Sequence, residues 1–308
     1  MNQATPVPEI IIANPHGFCG ENGLFGVSGA IRIAQEAAAD HPDQQVYILG
    51  ELVHNPHVTK ELAEKFQVQT VASLEEIPEG EILIIKSHGL PPATVIQAEA
   101  RKLKIIDATC PMVKQVHQLV KVLAGQGKKI VYVASDLQHE EALGVYGEAP
   151  DNITLVTLKN LLDFEISEPE NTVLLTQTTL SVLETKEAFE VLKEKYPTLT
   201  IQPHICPATT LRQQAVRDLA ARVDLMIVVG AQNSSNSQRL FETARAANSK
   251  IPVYIIDSVT ELEPAWFQND QKPLEKIGLS SGASTPEWLL EQVVAEIKKL
   301  TSPQVTRK

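Results

Sequence analysis

The sequence predicts an α/β protein: three similar α/β units with mostly parallel sheets, arranged about a pseudo-three-fold axis that gathers one cysteine from each unit. Three observations predict it. Short β-branched apolar runs alternate with helix-length stretches along the whole chain, the pattern of strands buried on both faces and joined by crossover helices. The chain has 308 residues, more than one core usually organises. Cys19, Cys110 and Cys206 fall at near-equal intervals, each just after an apolar run: EIIIANPHGFC, LKIIDATCP and LTIQPHICP. Each thiol is therefore offered from the C-terminal edge of a strand, where ligands collect in open α/β sheets.

In chain order, EIIIAN is a strand within residues 8–14 that completes the third unit. The first unit, 15–109, carries Cys19, the helices GAIRIAQEAAA, HVTKELAEKF and PPATVIQAEARKL, and the strands QQVYILG, EILIIKS and LKIIDAT. The second, 110–205, carries Cys110, the helices VKQVHQLVKVLAGQG and SVLETKEAFEVLKEKY, and the strands KKIVYVAS, NITLVT, NTVLLTQ and LTIQPH. The third, 206–300, carries Cys206, the helices TLRQQAVRDLAARV, SQRLFETARAAN and PEWLLEQVVAEIKKL, and the strands DLMIVVG, IPVYIID and EKIGLSSG. Residues 301–308 read as a frayed tail.

Composition narrows the function. Apolar residues make up 43% and charged residues 21%, the balance of a soluble globular protein. No run of 18 apolar residues occurs, which excludes a membrane helix, and the start has no signal-peptide pattern. A cytoplasmic location is expected. A net charge of −11 argues against a nucleic-acid partner, since that affinity comes from Lys and Arg. An anionic ligand would need a local site of helix N-termini, backbone amides, hydroxyls or imidazoles. Three cysteines make a poor disulfide framework. Converging thiolates hold a metal instead, but the spacing lacks a CxxC pair and does not by itself choose between zinc and iron.

Polar motifs sit where strands end. His54 in LVHNPH, His88 in SHGLP and His139 in QHEEALG each follow a predicted strand. Ser234, Ser235 and Asn236 in GAQNSSNS precede a helix, either as an anion-binding turn or as a plain cap. Ser284 stands just ahead of the last helix. Glu141 lies two residues after His139 in a glycine-flanked loop, either a tuned proton relay or a solvated carboxylate like its neighbour Glu140. Thr178 and Thr179 in LLTQTTLS are placed to orient a substrate hydroxyl or to cap the next helix.

Six motifs then occur in one order: VHN (Val53–Asn55), SHG (Ser87–Gly89), DATCP with His117 downstream (Asp107–Pro111), TQTTLS (Thr176–Ser181), NSSNS (Asn233–Ser237), and Gly282, Ser284 and Pro286. Together with the three cysteines they resemble the 4-hydroxy-3-methylbut-2-enyl diphosphate reductase family, from about Ile10 to Leu300. The resemblance implies three α/β domains around a central [4Fe–4S] cluster held by Cys19, Cys110 and Cys206, with one iron open to substrate. It implies Glu141 as the proton donor and Thr178 as its support. It also implies His54, His88, His139, Thr179, Ser234, Ser235, Asn236 and Ser284 around the diphosphate. Reductive removal of the substrate hydroxyl would need electrons from an external donor such as a ferredoxin or flavodoxin. Arg212, Arg217 and Arg222, on one predicted helix, are the candidate docking patch. Because imidazolium binds anions better than imidazole, diphosphate affinity is expected to weaken as pH rises past about 7.

The chain departs from the family in three places. CGENGLFGVSGAI replaces a shorter segment after the first cysteine, bringing Glu21, Asn22 and Phe25 beside a predicted ligand, and Gly29 stands where the family has arginine. His16 replaces another arginine. The family's GHPEVEG reads QHEEALG, with Glu140 in place of proline and Leu143 in place of the second glutamate. Two other readings remain: a family relative reducing a different substrate, and a non-catalytic zinc-stabilised binding protein.

Overall fold

The computed structural model of the chain describes residues 7–13, 26–268 and 273–302. Cys19, His16, Glu21, Asn22 and Phe25 lie outside the described residues. Two compact units divide the chain: one takes residues 1–16 and 211–308, the other residues 17–210. Along the chain run β1 (Glu9–Ile12), α1 (Gly26–Asp40), β2 (Val46–Leu49), α2 (Pro56–Phe66), β3 (Gln69–Val71), β4 (Ile82–Ile85), α3 (Pro92–Ala100) and β5 (Lys104–Asp107). Next come α4 (Pro111–Gly125), β6 (Lys129–Ala134), α5 (Glu140–Tyr146), β7 (Ile153–Thr157), β8 (Thr172–Thr176), α6 (Val182–Lys195) and β9 (Thr200–Gln202). The last elements are α7 (Pro207–Ala220), β10 (Leu225–Val229), α8 (Ser235–Ala247), β11 (Val253–Ile256), β12 (Lys276–Ser281) and α9 (Glu287–Thr301).

The strands form three parallel four-stranded sheets with helices between them, the predicted α/β class. The 17–210 unit holds two sheets, ordered β3-β2-β4-β5 and β7-β6-β8-β9. The other unit holds the third, β1-β12-β10-β11, with the N-terminal strand paired to β12. Position in the sheet explains strand composition. The central strands β4 (ILII), β8 (TVLLT) and β10 (LMIVV) are buried at every residue, as strands covered on both faces must be. The edge strands β5 (KIID) and β9 (TIQ) expose their polar ends.

Each sheet has the same switch in winding. The chain leaves β2 outward to β3, then returns to β4 on the other side of β2. The loops after β2 and β4 therefore leave in opposite directions at the C-terminal edge, the place where α/β sheets bind ligands. β6 and β8 repeat the arrangement in the second sheet, and β10 and β12 in the third. His54 follows β2 and His88 follows β4. His139 and Glu141 follow β6, and Thr178 follows β8. Ser234 to Asn236 follow β10, and Ser284 follows β12.

Side-chain caps start the helices that leave these loops. The Asn55 side chain accepts from the backbone N–H groups of His57 and Val58, with Pro56 at the first helical position of α2. Ser181 caps α6 through the N–H of Glu184, and Ser234 caps α8 through that of Ser237.

Two local expectations are corrected. The glycine-flanked segment after His139 is not a loop: Glu140–Tyr146 is the short helix α5, capped by the His139 side chain. Its seven residues are too few to show a period in sequence. The strand β3 was also missed, because Gln69 and Thr70 are exposed and only Val71 is buried. Among the described residues no helix is long and apolar enough to cross a membrane.

Candidate active site

In the 17–210 unit, the β6/β8 switch point is built around one carboxylate. Glu141 enters the first turn of α5 and is 1% exposed. Its Oε1 accepts hydrogen bonds from the Thr178 N–H at 2.8 Å and the Tyr132 hydroxyl at 3.0 Å. Its Oε2 accepts from the Thr178 hydroxyl at 2.8 Å. Burial raises its pKa above the usual carboxylate value, although the bonds from Thr178 and Tyr132 pull the other way. Glu141 is thus not a solvated loop carboxylate but a sequestered acid with fixed geometry. Gln177, wholly buried beside it, donates to the Thr179 hydroxyl at 2.8 Å and accepts from the Ser135 N–H at 2.8 Å, fixing the TQTT loop.

The β2/β4 switch point faces α5 from the neighbouring sheet. The rings of His54 and His88 stack with centroids 4.2 Å apart, and His139 lies edge-on to both at 5.3 and 5.7 Å. Three histidines scattered in sequence therefore form one cluster. Burial pushes His88 down to about 4 and His139 to about 3. Both are neutral at pH 7 in the ligand-free protein, so neither of these two supplies the imidazolium on which the expected pH dependence rests. The His139 Nδ1 accepts from the Glu141 N–H at 3.1 Å, which places the ring proton on Nε2.

Two charged groups complete this cluster. Glu140 bonds to Lys86. Its other oxygen, Oε2, faces His88 Nδ1 at 3.4 Å and His54 Nε2 at 3.9 Å. Burial would raise Glu140, but His88 and Lys86 outweigh it and bring the carboxyl down to about 2. Gly50 and Gly89 make room here with left-handed φ angles of 73° and 80°. A side chain on Gly50 would meet Lys86 Nζ at 3.1 Å, and one on Gly89 would meet His117 Nε2 at 3.0 Å. His117, the histidine of the DATCP motif, is pinned by Glu148 at 2.6 Å. His54, His88 and Glu140 also have the donor types and spacing of a cation site.

Cys110 and Cys206 follow the fourth strands of the two sheets in this unit. Each is tied by its backbone to a switch-point loop: the Cys110 N–H donates to the Ser87 carbonyl at 3.0 Å, and the Cys206 N–H to the Thr178 carbonyl at 2.9 Å. Cys110 feels the charge of Cys206. Burial raises the pKa of Cys110, and Cys206 and Glu141 add to the rise. A cationic metal centre relieves such mutual repulsion between thiolates, so the donors present suit one. Cys19 lies outside the described residues.

The other unit carries its candidates at the β10/β12 switch point. Ser234, Asn236 and Ser284 are 5%, 7% and 6% exposed. The Asn236 side-chain nitrogen is buried with no hydrogen-bond partner among the described residues. The shared helix expected for Arg212, Arg217 and Arg222 is shorter: α7 ends at Ala220, before Arg222, and Arg212 donates to the Ser281 carbonyl at 3.1 Å.

Sequence reasoning missed Lys86, Tyr132 and the importance of Glu140. Tyr132 reads as one more core residue of KIVYVA, and only its hydroxyl marks it out. Lys86 had a signal: a lysine directly after four buried apolar residues, next to a candidate histidine, is rarely free surface.

Comparison with known proteins follows the same lines. A family model described as LytB protein matches residues 10–298. The 4-hydroxy-3-methylbut-2-enyl diphosphate reductase of Acidothermus cellulolyticus is 39% identical over 300 residues, covering 96% of this chain and 84% of that protein. The protein of the same name from Streptomyces coelicolor is 40% identical over 294 residues, covering 94% and 83%. The solved structure of the E-1-hydroxy-2-methyl-but-2-enyl-4-diphosphate reductase from Plasmodium falciparum superposes with a TM-score of 0.85 at 34% identity, covering 97% of this chain and 90% of that one.

Proposed function

We propose, from the premise that this chain belongs to the LytB protein family, that it reductively removes the hydroxyl of (E)-4-hydroxy-3-methylbut-2-enyl diphosphate, giving isopentenyl and dimethylallyl diphosphate. The observation that carries this reading is Glu141, a buried acid held toward its protonated form and bonded to the hydroxyl of Thr178. A [4Fe–4S] cluster on Cys19, Cys110 and Cys206 would supply electrons and Lewis acidity when bound.

The residues of the chain do the rest. Glu141 holds the proton that lets a poor leaving group depart as water. Thr178 keeps that carboxyl in place through its N–H and its hydroxyl, and the hydroxyl oxygen accepts from the substrate alcohol. Tyr132 fixes Oε1 from below. His54, His88, His139 and Thr179 bind the diphosphate through ring and hydroxyl donors, and Ser234, Ser235, Asn236 and Ser284 of the other unit are assigned as diphosphate-binding residues. Neutral imidazoles suffice, because Nε2–H donates without a net charge. We also assign the electron supply to a ferredoxin or flavodoxin, the reaction to the cytoplasm, and the three-unit boundaries to Cys110 and Cys206.

Anaerobically purified, chemically reduced protein given the hydroxylated diphosphate should release both products. Iron and acid-labile sulfide should accompany the protein and be lost together in Cys110→Ser and Cys206→Ser. No turnover by protein that retains its iron would move the reading to another allylic alcohol, and stoichiometric zinc without iron would end it.

A further inference from the structure

We propose that Lys86 is a diphosphate-binding residue of this chain, held in reserve by Glu140, whose carboxylate occupies the anion's place until the anion arrives. The inference rests on the reading of the three-histidine cluster as the diphosphate site, and adds to it a cation and a displaceable internal ligand.

Four observations carry it. Lys86 is 7% exposed and bonded to Glu140, so a lysine head group is buried at the cluster. Glu140 Oε2 points at His88 and His54 yet lies at 3.4 and 3.9 Å, beyond a good hydrogen bond. Both Glu140 Oε2 and His88 Nδ1 are buried without a hydrogen-bond partner among the described residues. The carboxylate is therefore an ill-fitting occupant of a place where an acceptor oxygen is wanted, and native structures seldom leave such atoms unmet. Gly50, at φ 73°, leaves the space in which Lys86 and Glu140 meet: a Cβ there would lie 3.1 Å from Lys86 Nζ and 3.3 Å from Glu140 Oε1, crowding the pair.

A diphosphate oxygen reaching the imidazoles would compete with Oε2 for the same donors. It carries more charge than one carboxylate and offers several acceptors, so Lys86 gains by changing partner. Glu140, 29% exposed at the side chain and in the first turn of a short helix, has solvent to turn into. Lys86 would not be a resident metal's neighbour on this view, because it already neutralises the carboxylate that a metal at His54 and His88 would need.

Titration of the purified holoprotein with inorganic pyrophosphate, followed by calorimetry, tests the exchange. Glu140→Gln removes the competing charge while keeping the side-chain shape. It should bind pyrophosphate roughly tenfold tighter than the parent, the scale of one charge-assisted hydrogen bond released. Lys86→Met alone would leave Glu140 without its ion-pair partner, so the lysine is read in Lys86→Met combined with Glu140→Gln. That pair should bind at least roughly tenfold more weakly than Glu140→Gln. Equal affinity of the double variant and Glu140→Gln would overturn the role of Lys86 while leaving the diphosphate site standing. Binding by no variant, nor by the parent, would remove the diphosphate site itself. Tight uptake of Mn²⁺ or Zn²⁺ alone by the parent and not by Glu140→Gln would overturn the exchange in favour of a metal.

Discussion

Between β2 and β4 the 17–210 unit gathers charge: Lys86, Glu140 and two stacked imidazoles. Between β6 and β8 it gathers hydrogen bonds: the Thr178 N–H, the Thr178 hydroxyl and the Tyr132 hydroxyl, all on one carboxylate. Glu140 and Glu141 are neighbours in the chain and both begin α5, yet one faces each region. Successive residues of a helix start point about 100° apart, and that angle is enough to part their chemistry. The residue that meets a cation is held near 2, far into its charged form. The residue that meets only neutral donors is raised, because three hydrogen bonds do not repay full burial. One carboxylate is suited to managing an anion and the other to delivering a proton.

The largest expected effect would break this contrast if it failed. Glu141→Gln should keep its iron and lose on the order of 10²-fold or more in turnover, as a lost proton donor does. Glu140→Gln in the same assay should move KM further than kcat. Matching kcat losses in the two variants would erase the distinction.

Acid unfolding sharpens it. Glu140 has a folded value of about 2 against 4.5 for the free group. The stability it lends is complete above about 4.5 and disappears as pH falls toward 2. Glu141 has the opposite sign: its folded value is raised, so its contribution is greatest in acid and declines as pH rises through that value. The urea midpoint of the parent should therefore fall more steeply than that of Glu140→Gln between about pH 5 and about pH 3. Parallel curves would show that Lys86 and His88 do not hold the carboxylate down.

A smaller effect tests the frame beneath the charged region. Asn55 is wholly buried and caps α2 beside His54. Asn55→Ala should cost about 1 kcal/mol, or roughly 2–4 °C in Tm for a unit of this size. Substrate affinity should weaken along with stability, since the same loop carries His54. A Tm loss with unchanged KM would separate the cap from the histidine.

His88 and His139 should add no slope to diphosphate binding by the parent between about pH 6 and about pH 8.5, because both are already neutral there. A tenfold decline across that range would show that the anion brings a proton with it.

How far sequence reasoning reached follows from burial. Central strands such as ILII and LMIVV announce themselves, because a strand covered on both faces is filled mostly by apolar residues. The strand-end histidines and cysteines could be placed at the sheet edges for the same reason. QTV and EEALGVY could not be read, being too short for a period to emerge. Glu140 reads in sequence as ordinary surface acid. What gives it a role is Lys86, 54 residues earlier, and no local pattern spans that distance. Tyr132 was invisible for a different reason: its ring belongs to the core, and only its hydroxyl belongs to the site.

The bonds from the Cys110 amide to the Ser87 carbonyl and from the Cys206 amide to the Thr178 carbonyl act as short tethers. Each fastens the stalk of a thiol to the backbone next to a functional side chain, His88 in one case and Thr178 itself in the other. Pulling a loop toward its ligand strains a tether, and slackening a thiol frees a loop. Deuterium uptake at those two amides is accordingly a built-in gauge, able to register from one pair of signals whether a metal would be seated on the thiols and whether the proposed anion is bound.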